Sequence, residues 1–168
     1  MTTINNELLN YLNSIEIFDT HEHLCPYEDM RDKDTDILKE YMSQYVFTDM
    51  VSAGLPDKEL EKLFNTSIPL MDRWKIVEKY WDICRYTGHG RALELSVREL
   101  YGIDRINRET IEELNAQFQK SLEPGHYRKV LKEISKIRIS INDRFDNQSL
   151  DRPYNTDSYR RSLGPEWQ

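Results

Sequence analysis

Cysteine is scarce in this chain: Cys25 and Cys84 are the two present in 168 residues, and they form no metal-ligand spacing with each other. Long apolar runs are missing as well. No segment approaches the roughly 20 residues needed to cross a bilayer, and the mean hydropathy is −0.76, so a soluble protein is expected. The opening "MTTINNELLN" has neither the basic start nor the apolar stretch of a secretory signal. A cytoplasmic protein with free thiols follows as the expectation. Positive charge is in deficit too, with 23 Lys and Arg against 30 Asp and Glu and a formal charge of −7. That sign is wrong for nucleic acid or an anionic membrane surface, which leaves a small molecule or another protein as the expected partner.

What the chain does have is helical periodicity. "TINNELLNYLNS" places Ile4, Leu8 and Leu12 at steps of four behind a Thr/Asn cap. A helix is expected from the Thr35–Asp36 cap through "ILKEYMSQYVFTDMVSA" to Gly54, and another after Pro56 in "DKELEKLF". In "PLMDRWKIVEKYWDICRYTG", Trp74, Val77, Trp81 and Cys84 recur at helical spacing, and Gly88 is expected to end the run. Three more amphipathic segments follow: Leu93, Val97, Leu100 and Tyr101; then Ile111, Leu114, Phe118 and Leu122; then Tyr127, Val130, Leu131 and Ile134.

Two strands stand out against this background. "IEIFD" runs into "THEHL" with period two, which places Ile15, Ile17, Asp19, His21 and His23 on one face and Glu16, Phe18, Thr20 and Glu22 on the other. "KIRISIN", Lys136 to Asn142, alternates three isoleucines with charged and polar residues. Beyond it, residues 143–168 hold two leucines and no Ile, Val or Met. That is too little apolar surface to offset the entropy of ordering, so an irregular or disordered tail is expected there, after a region spanning residues 1–142.

Histidines at i and i+2 of a strand lie about 7 Å apart at Cα on the same side, within reach of one divalent ion beyond the strand end. Asp19, two residues earlier on that face, could accept a ring N–H and fix a tautomer. A complete shell needs further ligands. The remaining histidines have plainer placements, His89 between two glycines in a helix-helix turn and His126 in a first helical turn. On spacing alone, the pair reads equally well as a polar strand end.

The motif Asp-x-His-x-His-Leu after a hydrophobic strand resembles the first-strand signature of the amidohydrolase superfamily, metal-dependent hydrolases built on a (β/α)8 barrel. "YVFTDMVSAGLP", "WKIVEKYWDICRYTGHGRALELSVRELYGID" and "KIRISIND" resemble the uronate-isomerase-like branch, with its long helical insertion between strands one and two. The resemblance runs from about Ile15 to Asp143. It implies a helix-dominated α/β chain, an incomplete TIM-barrel-like fragment with about two parallel strands. It also implies His21 and His23 as ligands of a divalent metal, zinc foremost, and a hydrolysis of a small polar substrate.

A whole barrel takes about 250 residues. The ligands and proton-handling aspartate that this family draws from later strands have no counterpart here, so the isolated chain is expected to be catalytically weak or inert. Arg91, in "TGHGRA", is a candidate contact for an acidic substrate group, although a helix terminator followed by a new helix is the plainer account of the segment. The aromatic run Trp74, Tyr80, Trp81 and Tyr86 is expected in the core. Two strands leave sheet edges open, which also fits a non-catalytic helical module that forms a homo-oligomer or docks a complementing chain.

Overall fold

The computed structural model describes residues 3–25, 28–43, 45–142 and 159–161. It is a helix-dominated α/β chain that forms two compact units. The first takes Met1–Arg31 and Pro124–Gln168; the second is Asp32–Glu123. The helical insertion is thus a unit of its own.

The first unit begins with α1 (Thr3–Ser14), and β1 (Ile17–Glu22) follows directly. After the insertion, a π-helix (Arg128–Ile134) leads into β2 (Ile137–Asn142). Lys136 makes the turn between them with a φ of 53°, in the left-handed region. β1 and β2 pair in parallel, starting from Ile17 opposite Ile137. A third short strand, β3 (Tyr159–Arg161), lies parallel to β2 on its other side, giving the order β1-β2-β3. This strand falls within the segment expected to be an irregular tail; residues 143–158 and 162–168 lie outside the described residues. The apolar packing of this unit is small, with Tyr127 and Leu131 buried against Leu24 and Ile137. Glu28, in a 3-10 turn, accepts backbone N–H bonds from Gly125 and Tyr127, both 2.8 Å, and so caps the start of the π-helical segment.

The second unit packs α2 (Ile37–Met42), α3 (Tyr45–Ser52), α4 (Asp57–Phe64), α5 (Leu70–Cys84), α6 (Gly88–Tyr101) and α7 (Ile111–Lys120) around one apolar cluster. Trp74, Val77, Trp81 and Cys84 form the buried stripe of α5, as their spacing requires. The Trp81 indole N–H donates to Ile106 O at 2.8 Å, so the large ring is buried without an orphaned donor. Tyr80 is partly buried and Tyr86 is exposed, so the aromatic run divides between core and surface.

Arg73 is also buried, and all three nitrogens of its guanidinium donate. It pairs with the Asp36 carboxylate through two nitrogens and donates to Leu63 O at 3.0 Å and Ile68 O at 2.9 Å. Asp36 in turn caps α2 by accepting the Lys39 N–H at 3.0 Å.

Two boundaries differ from expectation. The stretch from the Asp36 cap to Gly54 is two helices, because α2 ends at Ser43 and α3 restarts at Tyr45. Gly88 opens α6 instead of closing α5, with Thr87 as the cap accepting the Gly90 N–H. Gly90 is where glycine is needed. A Cβ there would run into the Cys84 carbonyl oxygen and the Arg85 Cα, so the tight α5–α6 corner forbids a side chain.

Candidate functional site

The C-terminal end of β1 gathers the residues that bear chemistry. His21 lies near the end of the strand and His23 one residue past it, both exposed. Their rings meet edge to face, with centroids 4.5 Å apart at an interplanar angle of 87°. The two imidazoles are therefore neighbours, as the i, i+2 spacing requires.

The carboxylates depart from simple alternation. Pairing passes from Asp19 opposite Ser140 to Glu22 opposite Asn142, so β1 spends three residues where β2 spends two. This is a bulge, and it re-aims the side chains that follow it. Glu22, placed by alternation on the face away from Asp19, instead hydrogen-bonds the Asp19 side chain and is half-buried. Burial first, then the hydrogen bond and negative charge of Asp19, push the Glu22 carboxyl up to about 7; the His23 N–H and ring pull the other way. Asp19 also accepts the Ser140 hydroxyl at 3.2 Å and the His21 backbone N–H at 3.2 Å. Ser140 is completely buried, so β2 holds Asp19 from below.

The strand end thus presents two imidazoles beside a carboxyl pair, one member of which gives up its proton near neutrality. Imidazole nitrogen and carboxylate oxygen are the donor types that zinc and similar divalent ions take. Among the described residues, no group of three or more His, Cys, Asp or Glu is placed to hold an ion together. The donors match a metal in kind, without making a complete shell among the described residues.

Arg91 belongs to the helical unit, on α6, with its side chain 56% exposed and 3.9 Å from Glu94. Glu94 is engaged more closely by Arg85. His89 is the second residue of α6; its Nδ1 lies 3.1 Å from Asp49, and its ring stacks on Tyr45 at 5.3 Å. The Thr87 hydroxyl donates to the same Asp49 carboxylate at 2.6 Å and, with His89, holds it below the ordinary carboxylate range. His126 is half-buried, and burial together with the charge of Arg31 pushes its pKa down. Both cysteines are free thiols, Cys25 half-buried and Cys84 buried, where burial raises its pKa.

Sequence reasoning missed Glu22 and Ser140 as members of the cluster. The bulge that brings Glu22 round leaves no mark in the residue pattern, and Ser140 reads as one polar position in an alternating strand. No helix among the described residues is long and apolar enough to cross a membrane. Comparison of the chain with protein-family models, with curated proteins and with solved structures finds no match.

Proposed function

We propose that the chain is an amidohydrolase-like N-terminal region, the opening strands of an incomplete TIM-barrel-like fold whose metal site it supplies in part. The observation that carries this reading is the meeting of His21 and His23 at the C-terminal end of a strand that pairs in parallel with the next. Enzymes built on parallel barrels place their chemistry at that end of the strands. A divalent metal, zinc by preference, would take the two imidazoles, with Asp19 and Glu22 beside them to orient a ring or hold a proton. When bound, such an ion supplies Lewis-acid polarisation and an acidified water for hydrolysis of a small polar substrate. The chain's own residues provide two ligands and a carboxyl pair; the remaining ligands would come from a complementing chain or further strands, so the chain alone is catalytically weak or inert. Arg91 is the proposed contact for an acidic group of the substrate.

Zinc titrated calorimetrically into the untagged, metal-free protein tests this. Binding at about one site per chain, removed by His21→Ala with His23→Ala, is the expected result. No binding, or binding that the double variant retains, refutes the metal reading.

A second reading is favoured by a different observation: every residue from Ile4 to Phe18 is exposed, including the apolar ones. Surface of that kind fits a helical module that works through self-association or a partner chain.

A further inference from the structure

α1 is an amphipathic helix with its apolar side chains exposed, tied to the unit near its end by the Lys136 ammonium on Asn13 O. None of its described side chains is buried, and four apolar positions recur as Ile4, Leu8, Tyr11 and, just past the helix end, Ile15, with Leu9 off this line. Those steps of four, three and four are the spacing of a coiled-coil seam, with Leu12 beside it. Each of these residues is between 40% and 74% exposed. A helix this short is marginal in water without a packing partner.

We infer that α1 is the dimerisation element of this protein and pairs with α1 of a second copy. This rests on the self-association reading above and names its partner; it does not depend on the histidine pair. Two features single out a second copy. The seam is self-complementary: the helix sequence "TINNELLNYLNS" carries one charged residue, Glu7, so two copies meet with almost no like-charge repulsion. The area reaches the low end of what a specific interface needs. Taking about 200 Å² for a full side-chain surface of this size, Ile4, Leu8, Tyr11, Leu12 and Ile15 offer on the order of 600 Å² per copy, half of the roughly 1,200 Å² total at which stable interfaces begin.

A membrane surface is the weaker occupant, because the polar side of α1 is asparagine, serine and glutamate with no lysine or arginine to meet anionic lipid. β1 adds continuity. It is the outer strand of a parallel sheet, with Ile17 and Phe18 both exposed although they point to opposite faces. Parallel sheets are ordinarily covered on both faces. A partner seated on α1 would extend that cover.

The test is sedimentation equilibrium of the full chain across roughly 1 to 100 µM, the range in which an interface of this size is populated at its weakest. The expected result is a dimer, weakened at least about 100-fold by Leu8→Asp with Tyr11→Asp at an unchanged melting temperature of the helical unit. Leu8→Ala with Tyr11→Ala, which keeps helix propensity, is expected to weaken the dimer less, while Tyr86→Asp, outside the seam, leaves it intact. A dimer that survives both double variants overturns the assignment to α1 while leaving self-association standing. A wild-type chain that is monomeric throughout overturns both, as does a monomer that binds anionic vesicles.

Discussion

Arg73 ties separate segments of the helical unit together, because its guanidinium closes on the Asp36 side chain and on the Leu63 and Ile68 carbonyls. The Asp36 partner caps α2, so the pair ties α5 to the start of the unit. Removing one member of such a pair leaves the other charge buried and uncompensated. Arg73→Ala is therefore expected to cost about 3–5 kcal/mol of stability, read from urea denaturation.

At this scale the sequence was partly legible. The histidine neighbours at the strand end follow from period two alone. Glu22 and Arg73 do not, since one depends on a bulge and the other on a buried carboxylate 37 positions away in the chain. An arginine among charged neighbours reads as surface until its partner is known.

Among the elements, the π-helix and its cap carry a pH dependence. His126 stands at the start of this segment beside Glu28 and Arg31, with Lys129 on the next turn. Burial, Arg31 and Lys129 disfavour its charged form, while Glu28 favours it, and the net shift is downward. A histidine with a depressed folded pKa binds fewer protons folded than unfolded. Its stabilising contribution is present above the unfolded value near 6.5 and is lost as pH falls below it. This contribution opposes that of Glu22 in the same unit, whose raised carboxyl pKa stabilises the fold as pH falls from about 7 toward the ordinary carboxylate range; His126→Gln is therefore expected to make the first unit gain more stability between pH 7 and 5 than the unaltered chain does, measured by hydrogen exchange of the β2 amides.

Helix existence was readable throughout, because stripes such as Trp74, Val77, Trp81 and Cys84 have no other periodic explanation. Helix ends were harder. Gly88 and Gly90 look alike as helix breakers, yet both lie inside α6, and what selects glycine at position 90 is the approach of the α5 carboxyl end. Close approach of backbone to backbone is a tertiary fact with no local signature.

For the whole molecule, the division into two units follows from which strands pair, and sequence periodicity does not state pairing. The main apolar cluster runs from Ile37 to Leu122, entirely within the helical unit. Asp32–Glu123 expressed alone is accordingly expected to keep a cooperative thermal transition and native near-UV circular dichroism. A gradual, non-cooperative melt would show that it needs the strands.

The ends of the helical unit also meet. Lys33 donates to Leu122 O, Gln119 to Thr35 O at 2.6 Å, and the Ile37 N–H to Asn115 at 3.1 Å. During synthesis β1 leaves the ribosome first and waits roughly 6 to 24 s, at roughly 5–20 residues per second, for its partner strand. Were the intervening chain still unfolded, bringing Ile17 to Ile137 would mean closing a loop of 120 residues (137 minus 17). Once the insertion has folded with its two ends clasped, it behaves as a short connector, and the strands find each other as though little lay between them. The clasp thus makes the slowest pairing in the chain a nearly local event, provided the helices fold first.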